Sequence, residues 1–206
     1  MVAIKKRAIS PEQKALRREQ ILAAAAGMFL SQTYEAVNMA ALAETVGITK
    51  PALYRYYRGK EVLFLALFEE ELTYLKQGFA TLGQPENPGS AIARRFASQP
   101  LYCRLSAILH IVLERGLTYD EALAFKLSLK NHIGEIGQSL AVALQTADQA
   151  LIYEKLMQVQ QALIGVWHMT HPIGAVEKVL ERDELALFKQ DFEEALASHL
   201  NAILRP

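Results

Sequence analysis

The side chains best suited to engaging a polyanion gather in one short stretch. Thr49, Lys50, Tyr54, Arg55, Tyr56 and Lys60 bring hydroxyls and cations within twelve residues, and Pro51 and Ala52 add small apolar surface between them. A guanidinium offers paired donors that match the acceptor edge of a guanine, and small apolar groups meet the methyl of a thymine. Hydroxyl and ammonium groups reach phosphate oxygens, which fixes register without reading sequence. The charge distribution agrees. The chain is neutral overall, with 22 basic and 22 acidic residues. Over residues 1–60, however, ten Lys and Arg, Lys5, Lys6 and Arg7 among them, face four acids, and over 61–206 twelve face eighteen. A basic head on an acidic body is the electrostatic footprint of a phosphate-binding domain.

Other chemistries find little support. Cys103 is the single cysteine, so an intramolecular disulfide is excluded and a reducing compartment is expected. His168 and His171 are three apart, but no Asp, Glu or Cys lies near enough in sequence to complete a metal site, and no metal is expected. The chain has no nucleophile motif, phosphate loop or dinucleotide loop, which predicts neither a cofactor nor catalysis. The segment 156–176 lacks charged residues but carries Gln158, Gln160, Gln161, His168, His171 and Pro172, too many polar groups for a lipid-facing span. Glu12 and Glu19 interrupt the faint leader-like pattern of the N-terminus. The expectation is a cytoplasmic chain with no membrane segment.

Helices must position these groups. Ser10-Pro11-Glu12-Gln13 has the cap, first-turn proline and acidic residue of a helix start, and that helix runs to about residue 32. A second starts after Asn38 and ends at Gly47, a third covers 50–57, and a fourth covers 60–82. Further helices are predicted over 89–98, 100–115, 119–145, 147–170 and 183–204, with Thr118 and Glu121 forming a capping box. No segment alternates with period two for long enough to make a strand. Two short helices crossing steeply at a tight turn need a small residue, a turn glycine and inward apolar contacts. Ala43, Gly47 and the set Leu42, Val46, Ile48 and Leu53 supply them. Asn38 and Thr49 are placed to cap the two helices.

These residues resemble the N-terminal domain of the tetracycline-repressor family of bacterial regulators. The resemblance spans about 16–65 and is carried by Ile21-Leu22-Ala23-Ala24-Ala25 with Phe29, by Met39, Leu42, Ala43, Val46, Gly47 and Ile48, by Lys50, Leu53, Tyr54, Tyr56 and Tyr57, and by Lys60, Glu61, Leu63 and Phe64. It implies that the third helix enters the major groove and that Thr49, Lys50, Pro51, Ala52, Tyr54, Arg55, Tyr56 and Lys60 face DNA. Two departures are visible: Tyr56 stands where the family often has His, and Ala40 and Ala41 stand where polar residues are common. The later chain is similar to a branch of the same family at Pro100-Leu101-Tyr102, Val112-Leu113-Glu114 and Phe125-Lys126. The family implies a C-terminal bundle with an effector pocket and a dimer interface.

The expected architecture is therefore all-α: a helix-turn-helix DNA-binding domain over 10–59 and a larger C-terminal bundle over 60–206 for ligand binding and dimerisation. Apolar stripes on the 147–170 helix (Ile152, Leu156, Val159, Leu163, Val166; and Tyr153, Met157, Ile164, Trp167) and on the 183–204 helix (Leu185, Phe188, Phe192, Leu196, Leu200, Ile203) suggest that these two pair with their copies in a homodimer. Gly134, Gly137 and Gly165 inside long helices suggest close packing or room beside a ligand, with Tyr102, Leu109, Phe125, Leu129 and Trp167 as lining for an apolar or aromatic effector. The leading function is a ligand-responsive repressor that binds a palindromic double-stranded operator as a dimer. One alternative is an activator or nucleoid-associated factor controlled by a protein partner. Another is an all-helical enzyme or small-molecule carrier with an incidental helical corner, which the missing catalytic constellation and the basic head oppose.

Overall fold

The computed structural model describes residues 10–205, so Lys5, Lys6 and Arg7 lie outside the described residues. Every regular element among those described is helical. The first four are α1 (Pro11–Ser31), α2 (Met39–Val46), α3 (Lys50–Tyr54) and α4 (Lys60–Ala80). The body adds α5 (Pro88–Ala97), α6 (Pro100–Ile108), α7 (Tyr119–Ala143), α8 (Gln149–Thr170), α9 (Ala175–Val179) and α10 (Phe192–Ile203).

Local chemistry sets the boundaries. The Ser10 hydroxyl accepts from the Gln13 amide at 3.2 Å and the Gln13 side chain reaches back to the Ser10 amide, closing a capping box on α1. The Asn38 side chain accepts from the Ala40 amide at 2.7 Å and so starts α2. Thr118 and Glu121 close the box expected at the head of α7. The 100–115 helix departs from expectation. After Ile108 it widens into a π-helical turn, Leu109–Leu113, in which the Glu114 amide donates to the Leu109 carbonyl at 3.1 Å. Such turns insert one residue without breaking the helix. Leu109 and Leu113 of this turn both face the core.

The 183–204 helix is also different. Gly174 adopts φ +65°, α9 is a bare turn or so of helix, Asp183–Phe188 is a 3₁₀ segment, and α10 starts only after the Asp191 side chain caps it at the Glu194 amide. Asp191 favours an N-cap over a helix interior, since its carboxylate competes for nearby amides. Leu196 and Leu200 are wholly buried against α5 and α8 of the same chain. That half of the expected dimer stripe is therefore core. Likewise Ile152, Val159, Leu163 and Val166 of α8 point inward.

No single described helix is long and apolar enough to cross a membrane. One continuous core joins the head to the body: Ile21, Phe29, Leu42 and Leu53 meet Leu63 and Phe64 at the start of α4, and α4 then carries Leu67, Phe68, Leu72 and Leu75 into the bundle.

Candidate nucleic-acid interface and effector cavity

Helix α3 is held at its two ends and along its buried side. Gly47 ends α2 in the left-handed region, φ +72°, and the Ile48 amide donates back to the Ala43 carbonyl at 2.9 Å. A side chain at Gly47 would meet nothing within 4 Å, so the demand for glycine is purely one of backbone conformation. Gly47→Ala is accordingly expected to cost about 1–2 kcal/mol, with Gly47→Asn milder, as read by urea unfolding. The Thr49 hydroxyl accepts from the Ala52 amide at 3.3 Å and starts α3, while Leu53 is fully buried. From α1, the buried Arg17 donates to the Val46 carbonyl at 3.0 Å and fixes the end of α2. By sequence alone Arg17 is one more surface cation; only its position on the inward face of α1, four residues before Ile21, hints otherwise.

This frame leaves Thr49, Lys50, Pro51, Tyr54 and Arg55 exposed, with Ala52 and Tyr56 half-buried beside them. The Lys50 ammonium lies 5.9 Å from the centre of the Tyr54 ring, and Arg18 lies 5.9 Å from that of Tyr56. Arg55 has no hydrogen-bond or ion-pair partner among the described residues. Lys60 is placed elsewhere. Its ammonium is half-buried, donates to the Tyr34 and Glu35 carbonyls and sits over the Tyr34 ring at 4.1 Å, and burial lowers its pKa. The loop after α1 leaves carbonyls with no helical partner, and Lys60, in the first turn of α4, is the donor that reaches them. In this geometry its ammonium braces that loop.

Two polar grips join the head to the body. Arg58 pairs with Glu121 at the start of α7 and donates to the Gly116 carbonyl at 2.9 Å. The Arg58 guanidinium, then the Thr118 amide, hold the Glu121 carboxylate down at about 2. At the other end of the head, Arg104 of α6 donates to the carbonyls of Phe29, Leu30 and Gln32, the last two at 3.2 and 3.0 Å. It thereby satisfies the orphan carbonyls where α1 ends.

The body holds a cavity of about 600 Å³ that is open at one end. Three of the five expected lining residues, Tyr102, Leu109 and Leu129, are there. Phe125 is not on its wall; it lies one layer back, its ring 6.1 Å from that of Phe68. Trp167 belongs to a separate, more open hollow of about 620 Å³ with His171 and Leu30, and stacks on His171 at 3.6 Å. The cavity takes α8 from Tyr153 to Gln160, and Trp167 lies roughly 10 Å further along that helix. His168 and His171 take different partners: His168 engages the Ala107 carbonyl at 3.2 Å, and His171 the Trp167 carbonyl at 3.1 Å. The α4 wall, Phe68, Leu72, Leu75 and Phe79, was missed, although its i, i+4, i+7, i+11 spacing was a readable signal. Of Gly134, Gly137 and Gly165, only Gly137 lies against a neighbour: a Cβ there would lie 3.3 Å from Ile152, whereas one at Gly134 or Gly165 would meet nothing within 4 Å. Cys103 is buried, its thiol donating to the Phe96 carbonyl at 3.3 Å, and burial pushes it up to about 12, the setting of an inert thiol.

Comparison with known proteins agrees with this geometry. The family model described as "Tetracyclin repressor-like, C-terminal domain" matches residues 65–205, and "Bacterial regulatory proteins, tetR family" matches residues 21–67. The chain belongs to the tetracycline-repressor family. It is thus a DNA-binding transcriptional regulator with an N-terminal helix-turn-helix, and regulators of this family usually act as dimers. Among relatives, the HTH-type transcriptional repressor AcnR of Corynebacterium diphtheriae is 25% identical over 143 residues, covering 65% of this chain and 75% of that protein. The nucleoid occlusion factor SlmA of Marinobacter nauticus is 28% identical over 196 residues, covering 89% and 93%. Two solved structures share the fold: a tetR-family regulator from Streptomyces coelicolor (TM-score 0.58, 15% identity, 95% of this chain and 90% of that one) and the reduced form of E. coli NemR (TM-score 0.53, 18% identity, 91% and 96%).

Proposed function

We propose that the chain is a ligand-responsive repressor, with residues 10–59 reading a palindromic operator and 60–206 binding an effector and forming the dimer. The observation that carries this reading is the exposed, capped face of α3, where Lys50, Pro51 and Arg55 stand clear of the rest of the head. In this reading Arg55 pairs with a base edge, Pro51 and Ala52 meet a thymine methyl, and Thr49, Lys50, Tyr54 and Tyr56 position the helix on phosphates. The two walls that touch the head, α6 and α7, also line the cavity. An effector that fits one arrangement of those walls better than another shifts the head by its difference in affinity and by no more. Selection from a random DNA pool, run with the wild type and the Lys50→Ala/Arg55→Ala variant, tests the reading. A two-fold symmetric motif enriched by the wild type alone is expected, and failure of both proteins to enrich any motif counts against it.

The dimer is assigned to the outer sides of α8 and α10, which expose Gln161, Gly165, Ser198 and Ala202, small or uncharged residues suited to close helix approach. Gly165→Arg is expected to yield monomers in sedimentation velocity with an unchanged circular dichroism spectrum. An unchanged dimer would move the interface elsewhere.

A second reading, a nucleoid-associated factor, is favoured by the similarity along most of the chain to a protein named as a nucleoid occlusion factor. Mapping of bound sites separates the two. A repressor occupies one or a few sites near regulated genes, whereas a nucleoid factor occupies many sites spread over the chromosome.

A further inference from the structure

The lining of the 600 Å³ cavity is one-sided in its charge. Its floor is aliphatic and aromatic, from Phe68, Leu72 and Phe79 of α4 to Ile136 and Val159 across the bundle. Its ionisable side chains other than tyrosines are His110, Lys126 and Lys130, and no Asp or Glu lines it. All three are exposed, as are Tyr153 and Met157 beside them, which places the basic groups at the open end. The Glu114 carboxylate, outside the lining, takes both the Lys126 ammonium at 2.6 Å and the His110 ring at 3.3 Å. Lys130 has no ion-pair or hydrogen-bond partner among the described residues. The deep end offers a different polar pair, the Tyr102 hydroxyl donating to Gln160 Oε1 at 3.5 Å, which is already mutually satisfied.

We infer that this cavity takes an amphipathic monoanion: an aliphatic or flat aromatic body in the apolar floor, ending in a carboxylate or comparable anionic head at Lys130. The apolar floor gains from burying the body. The head stays at the mouth, partly in water, where an ammonium can form a charge-assisted hydrogen bond with it. A cationic amphiphile would set like charge against Lys126 and Lys130. A neutral molecule of the same body would leave Lys130 unused. The inference rests on the reading of this cavity as the effector site and adds the class of effector.

Calorimetric titration of the full chain tests it, with dodecanoate and 2-naphthoate as anions, dodecanol and 2-naphthol as neutral counterparts, and dodecyltrimethylammonium as the cation, all below micelle-forming concentrations. At least one anion is expected to bind about tenfold or more tightly than its neutral counterpart, the loss expected for one charge-assisted hydrogen bond. Lys130→Met should bring that anion to the affinity of the neutral molecule, and Leu129→Trp, which fills the cavity, should abolish binding in a protein shown by its melting curve to be folded. Absence of saturable binding by both anions overturns the inference. So does equal or tighter binding of the neutral or cationic probes, or an anion affinity untouched by either substitution. Anisotropy of the selected operator in the same titrations separates the two readings: an anion that binds the cavity yet leaves the operator complex intact supports the ligand class and refutes the effector response.

Discussion

Arg55→Ala should weaken binding to the selected operator by roughly 30-fold to 10⁴-fold while leaving the melting temperature unchanged. The affinity range follows from about 1–3 kcal/mol for each bidentate base contact, counted once in each half-site of a dimer. The unchanged stability follows from the structure: Arg55 is exposed and engages no described residue, so its removal orphans nothing in the fold. Specificity gives a sharper test than affinity. Removing a side chain that reads a base should relax selection at one position of each half-site. Lys50→Ala, which removes a phosphate contact in the proposed arrangement, should instead weaken all sequences alike and reduce the salt dependence. Fluorescence anisotropy at several salt concentrations measures both. If Arg55→Ala weakens all sequences uniformly, Arg55 is a backbone contact and base reading lies elsewhere on α3.

Phe64→Ala should destabilise the chain by about 3–5 kcal/mol, the usual cost of emptying a buried aromatic site. Phe64 is fully buried, and its ring meets Phe29 edge-on at 5.1 Å and Tyr34 at 5.0 Å. It therefore occupies the joint between α1, the loop that follows it, and α4. Phe68→Ala, one turn further along α4, should cost a similar amount, but its ring faces Tyr102 at 5.4 Å and Phe125 rather than the head. The two variants should part company in DNA binding. Phe64→Ala should lose operator affinity even below its melting transition, and Phe68→Ala should keep it. Urea unfolding combined with operator titration checks the pair, and equal operator affinity in the two would remove Phe64 from the path between head and body.

The head was legible in the chain because its demands are local. A cap at Asn38, a left-handed residue at Gly47, a cap at Thr49 and inward Leu42 and Leu53 each act within a few residues, so spacing alone reveals them. The helix-turn-helix and the exposed side of α3 followed from those constraints. Partners distant in sequence were not legible. Lys60 meets Tyr34 across 26 residues and Arg58 meets Glu121 across 63, and nothing in either local pattern distinguishes a brace from a phosphate contact. The cavity was half legible for the same reason. Aromatic and aliphatic residues at helical spacing announce a buried face, but which buried faces leave space between them depends on how α4, α7 and α8 cross. Trp167, expected in the lining, stands instead beside the second hollow because α8 carries it past the end of the cavity.

The arrangement of Arg58 and Arg104 carries a mechanical consequence. Arg58 fastens the head where the chain passes into α4, and Arg104 fastens it at the far end of α1. The apolar core around Leu63 and Phe64 holds the head between these two points as well, so the softest motion left to it is a small turn about the line that joins them. Displacement of α6 relative to α7 tilts that line, and the long lever of α1 turns a small tilt into a larger swing of α3. In the proposed dimer, two heads related by a dyad would then spread or close symmetrically, and the spacing between half-sites is the quantity that the proposed effector would set.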